Sequence, residues 1–543
     1  MTALVGTGRL LRLALRRDRI LLPAWAVSIA ALTAGVVASI VGLYATEQER
    51  VAAVSFTAAN PVARVFDGPA SGTDPGAIAM GEGYILYAIL VALMSIQAVV
   101  RHTRLEEETG RAELVGSAVV GRHAPLSASL LLVVLANLAV AALVTLVLLV
   151  NGLAVSGSVL AGLSLAGVGV VFAGVAAVAS QVLSTSRGAN GAGAAVVGVA
   201  FVLRAVGDVA GHIAEGGLEV VSAWPSWLSP IGWAQQTRPF YQDNFGLLAL
   251  FAATALVLVA IAFRLTEHRD VGAGMVPPRP GPPRAAPSLG SPLGLAWRQQ
   301  RGMLLAWAVA MAVVGTAFGA VGAEADEIVG ISEDLQRALQ AMAPDGGIVD
   351  LYFAFAIGFL GIAATGFTVQ ALLRARAEEA AGHLEAVLAT ATSRSGWLAS
   401  HVVVAVAGTA ALFVVLGVTG ALAFGTITGD WAVGVEGMLG GAVVQLPAAL
   451  ALGALVLAAV ALLPRWAAAI GWAALAVGLV MGQLGALLEL PQPVLNLSPF
   501  THVPAVPAEP LSLLPLTLLL AAAAALGAVG FVAFARRDLA TTA

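Results

Sequence analysis

The sequence contains no cysteine and no lysine; all 27 basic side chains are arginine. Without cysteine there is no disulfide, no thiolate nucleophile and no cysteine-ligated metal. Without lysine a P-loop of the form GxxxxGK[ST] cannot be completed, because its ammonium holds the nucleotide phosphates. If ATP powers this chain, another polypeptide binds it. The seven histidines are scattered and form no HExxH pattern, so neither a metal nor a hydrolytic site is expected and no catalytic residue is assigned. Charge of either sign is scarce. Only 11% of the 543 residues are charged and 59% are hydrophobic, whereas a soluble domain is about a quarter charged. The chain therefore reads as a membrane protein. Its net charge of −4 carries little meaning there, because the placement of charge matters more than its sum. Nothing in it suggests a nucleic-acid partner.

What is present is long apolar runs. Twelve fall near 20–45, 83–100, 124–150, 159–185, 191–213 and 247–265, then 302–321, 351–373, 397–424, 434–463, 466–489 and 512–535. Each approaches the ~20 residues a spanning helix needs, and their Gly and Ala content suits close helix contact in lipid. The first run exceeds the apolar core of a cleaved signal peptide. Before it, Arg9, Arg12, Arg16 and Arg19 recur at helical spacing opposite Leu10, Leu11 and Ala14. That pattern suits either a short helix in the headgroup layer or a basic flank. If the runs thread alternately, all but five of the 27 arginines (Arg50, Arg64, Arg204, Arg238 and Arg337) lie on the side of the N-terminus. The positive-inside rule then predicts both termini in the cytoplasm of a multi-pass cell-membrane protein.

The two halves repeat each other. ALRRDRILLPAWAV (14–27) aligns with AWRQQRGMLLAWAV (296–309), Arg187 and Gly193 with Arg465 and Gly471, and Arg269-Asp270 with Arg537-Asp538. An even number of helices per copy makes this a parallel repeat. The expected organisation is a first six-helix half over 1–270, a linker over 271–295 with a proline-rich core that cannot continue a helix, and a second half over 296–543. The connections at 214–246 and 490–511 are expected to hold short, partly re-entrant helices. The loops at 46–82 and 322–350 carry carboxylates, among them Asp67, Glu82, Asp326 and Glu327.

The most informative repeat is a charged island after the second helix of each half. Glu106, Glu107, Gly110, Arg111, Glu113 and Arg122 in the first copy match Glu378, Glu379, Gly382, His383, Glu385 and Arg394 in the second. Helical spacing puts Glu106, Gly110 and Glu113 on one face, which would present carboxylates to a basic partner. A purely solvated loop need not keep this register. Arg204 and Asp208, four apart on the fifth helix, can pair within the membrane, where charge is costly.

EE-x-x-G-x-x-E followed by Arg, with SPIGWAQQTRPF (229–240), SPFTHVP (498–504) and RRDL (536–539), resembles the ABC-2 type permeases. The tandem form is similar to the actinobacterial exporters of polyketide antibiotics, the tetronasin-type permeases. The resemblance covers essentially the whole chain. It implies an all-α polytopic protein of two ABC-2-like repeats, with an elbow helix at 1–19 and coupling loops at 101–123 and 374–396. It also implies an exporter of hydrophobic drugs driven by two copies of a separate ABC ATPase. ATP and Mg would bind in that ATPase, and this chain would hold no cofactor and would not itself be an enzyme. The second loop departs from the pattern at Ala380, Ala381 and His383. Tyr84, Tyr87, Met94, Gln97, Tyr352, Phe355, Phe359 and Gln370 lie on the second and eighth helices, beside which such permeases place their substrate path; by sequence alone core or lipid-facing packing suits the aromatic and Met positions better. An ion-coupled secondary multidrug transporter, also built from two parallel six-helix halves, is the alternative, although the loop lacks the Gly-x-x-x-Asp-Arg-x-Gly-Arg-Arg pattern of such proteins.

Overall fold

A computed structural model describes residues 3–277, 281–324, 347–483, 485 and 491–539. Eleven of its helices are long and apolar enough to cross a membrane. In order they are Leu21–Leu43, Pro75–His102, Ala124–Val150, Val155–Val182, Ser186–Val209 and Leu248–Glu267, then Pro292–Gly322, Ile348–Ala380, Arg394–Thr428, Trp431–Leu462 and Leu513–Arg536. The apolar helix Ala467–Gln483, at 17 residues, stands where the eleventh run was expected. We number all twelve by position. The protein is an all-α polytopic membrane protein; a two-stranded hairpin, His212–Ile213 with Val220–Val221, is the sheet present among the described residues. Asp326, Glu327 and the other acids expected between 325 and 346 lie outside the described residues.

Helix starts follow capping chemistry. Asp74 accepts from the Gly76 N–H ahead of Pro75, and Ser291, Ser393 and Thr185 do the same for the seventh, ninth and fifth helices. The tenth helix carries a π turn, Val435–Gly440, before Pro447. The amphipathic segment forms a helix over Thr7–Arg17 that leaves Arg9, Arg12 and Arg16 exposed; Arg19 falls beyond its end. The expected short elements at 214–246 and 490–511 are the 3-10 turn Trp224–Leu228, helix Pro230–Gln236, helix Gln492–Leu495 and the 3-10 turn Pro499–His502.

The chain divides into two compact units, Met1–Gly281 and Pro282–Ala543. In the first, the second and fourth helices are the most enclosed and the sixth the least. Side chains such as Ile29, Val91, Leu132 and Phe172 fill the core. Some polar groups inside bridge helices: the Asn137 amide donates to Ser95 Oγ at 2.9 Å. Arg204, fully buried, donates to Asp208 at 3.2 Å and to the carbonyls of Arg64 (3.0 Å) and Val65. That arrangement ties the first connecting loop to the fifth helix.

In the second unit the seventh and ninth helices meet through Gly315 and Gly319. A Cβ on Gly319 would lie 2.1 Å from the Gly420 carbonyl oxygen, and one on Gly315 would lie 2.5 Å from that of Leu416. Such close backbone approach is how small residues drive helix association where lipid removes the hydrophobic incentive. Gly319→Ala is therefore expected to destabilise the protein by about 2 kcal/mol through overpacking, read as a lowered Tm in detergent. Gly302→Ala, at a position with open space around it, should leave the Tm unchanged or raise it slightly.

Candidate functional site

Both copies of the charged island form a helix, a glycine corner and a second short helix. In the first copy the long helix ends at His102, Thr103 interrupts it, and Arg104–Glu108 follows. In the second copy the long helix runs on to Ala380. One additional residue between the arginines of the first copy (Arg101-His-Thr-Arg104 against Arg374-Ala-Arg376) accounts for the interruption. Gly110 and Gly382 then adopt φ of 73° and 75°, a left-handed conformation that glycine enters at little cost. The chain turns there into Arg111–Gly116 and His383–Leu388. This corrects the sequence expectation of one helical face: Glu106 and Glu113 sit on separate helices with the corner between them.

The paired glutamates face inward. Glu107 is gripped by both nitrogens of Arg269 at 2.5 and 2.8 Å, and by Arg104 at 2.8 Å. Glu379 is gripped in the same way by Arg537 at 2.6 and 2.7 Å, with Arg376 at 3.4 Å. Arg122 donates to the Arg269 carbonyl at 3.0 Å, and Arg394 to the Arg537 carbonyl at 2.6 Å. Arg104 and Arg376 reach the end of the fourth and tenth helices through the carbonyls of Ser180 and Pro464. Each unit thus contains the same ionic knot. It joins the loop after its second helix to the start of its third, the end of its fourth and the tail after its sixth. Bidentate arginine–carboxylate pairs are the strongest of the charge-assisted hydrogen bonds and fix geometry as well as energy.

The first glutamate of each pair makes a different link. Glu106 accepts from Arg17 of the amphipathic helix at 2.8 Å. Glu378 pairs with Arg374 and accepts from Gln299, near the start of the seventh helix, at 3.1 Å; His383 Nδ1 lies 3.1 Å away. Beneath the first copy a cavity of about 230 Å³ is lined by Leu10, Leu13, Val115, Val120 and Leu126. Gly121 seals one side, for its Cβ would lie 2.3 Å from the Ala3 carbonyl oxygen. What remains exposed is the short second helix: Arg111, Glu113 and Leu114 in one copy, His383, Glu385 and Ala386 in the other.

Arg17, Arg104, Arg376, Arg269 and Arg537 were not legible as site residues. Arg269 and Arg537 had appeared only as marks of the repeat. In a chain with so little charge, an arginine repeated in register was itself the signal.

The expected path residues divide. Tyr84 and Tyr87 are enclosed in the first unit, Tyr84 bonded to Ser164 Oγ at 2.5 Å. Met94 and Gln97 line a crevice on that unit. Tyr352 donates to the Phe318 carbonyl at 3.1 Å, Phe355 and Phe359 are exposed, and Gln370 accepts from the Trp307 indole at 3.1 Å. Outside the spanning helices, burial pushes the Asp67 carboxyl up to about 7, against the partial offset of Arg204. Among the described residues no group of three or more His, Cys, Asp or Glu could hold a metal.

Long apolar helices in two compact units, each with a knotted loop carrying an exposed short helix, define a polytopic membrane protein built from a repeated unit. Residues 289–535 match the family described as the C-terminal domain of the multidrug efflux system permease Rv1217c. Over 502 residues the chain is 39% identical to the multidrug efflux system permease protein Rv1217c of Mycobacterium tuberculosis, covering 92% of this chain and 89% of that protein. The chain belongs to this family of multidrug efflux permeases.

The knot makes a prediction. Glu379, 1% exposed, cannot lose its charge without leaving Arg537 poorly compensated, so Glu379→Gln is expected to cost about 3 kcal/mol. Glu113→Gln and Glu385→Gln, at exposed positions, should each stay within about 0.5 kcal/mol. Thermal unfolding of the purified variants checks the order; equal effects at all three sites would contradict it.

Proposed function

We propose that this chain is the membrane-spanning permease of an ATP-driven exporter of hydrophobic drugs or antibiotics, polyketide-like in chemistry. A separate ABC ATPase, present in two copies, energises it. The single observation that carries the reading is the duplicated exposed helix, Arg111–Gly116 and His383–Leu388, held by matching ionic knots. A knotted helix passes a push or pull from a docked partner into the helices behind it, which a loose loop does not. In this reading Glu107 and Glu379 anchor the loop, while Arg111, Glu113, His383 and Glu385 meet the ATPase. The absence of lysine supports the external source of energy, since the phosphate-gripping residue of a P-loop must come from elsewhere. The arginine asymmetry supports a cytoplasmic side for both loops and both termini. The two docking faces differ, Arg111 and Leu114 against His383 and Ala386, so identical ATPases would bind them unequally.

Affinity purification of the permease from its native membrane should recover a P-loop ATPase. The double variant Glu113→Arg/Glu385→Arg should insert normally and lose it. Undiminished recovery with the double variant would contradict the docking assignment.

One observation favours a second reading, an ion-coupled secondary transporter. Asp67 titrates near neutrality in a part-buried position, where a proton can bind and leave within the physiological range. Its raised pKa also fixes a sign. The folded state holds the proton that the unfolded state releases above about 4, so stability should fall as pH rises from about 4 to about 7. Melting curves across that range check this, and Asp67→Asn should flatten them. Transport by Asp67→Asn that survives unchanged would remove this second reading.

A further inference from the structure

The two units treat one pair of matched residues differently. In the second unit the Trp307 indole donates to Gln370 at 3.1 Å. Phe367, fully buried, stands where the first unit has Met94, and Arg374 is neutralised by Glu378 four residues on. In the first unit Trp25 and Gln97 stand at the corresponding positions without that bond. The residue four after Arg101 is Leu105, because the extra residue in this copy shifts Glu106 round to Arg17. A crevice of about 440 Å³ remains, lined by the first, second and fifth helices.

Its chemistry is one-sided. Trp25, Leu93, Met94 and Leu105 give it apolar walls, with Gln97 and Asn190 adding amide groups. The Asn190 side-chain oxygen is buried with no hydrogen-bond partner. No carboxylate lines the crevice, and its single charged group is Arg101. Arg101 lies 3.2 Å from one oxygen of Asp18, whose other oxygen is held by His102 at 2.6 Å, so a single carboxylate is divided between two basic side chains and Arg101 stays part-exposed beside the crevice. An arginine at the edge of an apolar crevice recognises an acidic head on an apolar body.

The geometry points to a single binding site, in the first unit alone, for an amphiphile carrying a carboxylate or phosphate head: the head against Arg101, the body between Trp25 and Met94. It deepens the exporter reading by naming a class of cargo, and rests on it only for the word cargo. A membrane-permeant acid and an anionic phospholipid share this chemistry.

The test uses the purified full-length permease in phosphatidylcholine nanodiscs, without ATPase, and a dansyl-tagged undecanoic acid as probe. Saturable binding of one probe per chain is expected, with the uncharged undecanamide analogue about tenfold weaker, the effect of losing one charge-assisted hydrogen bond. Arg101→Gln should erase that preference for the acid. Met94→Phe, which copies the second unit and fills the crevice, should abolish binding of both probes even if Arg101→Gln folds poorly. Trp307→Phe in the second unit should change neither stoichiometry nor affinity. Displacement of the probe by phosphatidylglycerol assigns the head to lipid; retention assigns it to a free acid; both support the site. Equal affinity for acid and amide, or unchanged binding in Met94→Phe, would overturn it. Because no flux or ATP enters the assay, probe binding without ATP-driven export would refute the drive and leave the site. ATP-driven export without probe binding would do the reverse.

Discussion

A carboxylate gripped from two sides by guanidinium groups, largely out of water, is the contact on which the candidate site depends. Glu107 with Arg269 and Arg104, and Glu379 with Arg537 and Arg376, hold each charged loop to three other parts of its own unit. Such pairs are weak evidence for net stability, because desolvation offsets much of the Coulomb gain. Their value lies in geometry. A bidentate pair has one good orientation, so the loop and the tail after the last helix of the unit move together or not at all. Repetition of the knot, down to the backbone contacts of Arg122 and Arg394, is hard to attribute to local packing.

The two units share this knot and differ around it. Thr103 interrupts the helix in one copy, and the helix is continuous in the other. A one-residue difference rotates the following glutamates about the helix axis. In the first copy Glu106 therefore meets Arg17 of a separate amphipathic helix; in the second, Glu378 turns back on Arg374 of its own helix. The same shift leaves Arg101 without a carboxylate four residues on, paired instead with Asp18 at the edge of a crevice. Small differences in register thus change the partners of matched side chains, while the knot itself stays the same.

Much of the architecture was legible from the sequence. Eleven of the twelve expected apolar runs are helices long enough to cross a membrane, and the run at 466–489 holds the shorter helix Ala467–Gln483, because a spanning helix must satisfy its own backbone and must be long and apolar to do so. The glycines at the loop corners were visible as matched positions, but their left-handed geometry was not, since helical spacing alone does not say where a helix ends. For that reason Glu106 and Glu113 were placed on one face that the structure divides. The inward turn of Glu107 and Glu379 was not legible either. Their partners Arg269 and Arg537 lie more than a hundred residues away in sequence, and a charged cluster read alone looks solvated. Tyr84 and Tyr87 illustrate a further limit: apolar-path and core residues have the same composition, and only the fold shows these two enclosed.

The central claim is that energy enters through a partner docked on the two exposed helices and not through the permease itself. Reconstitution into proteoliposomes with no ion gradient tests it most directly, using the permease alone or with its ATPase and following uptake of a fluorescent hydrophobic drug. The account predicts uptake only when both the ATPase and ATP are present, unaffected by a protonophore. Uptake by the permease alone on imposing a proton gradient, abolished by the protonophore, would contradict it.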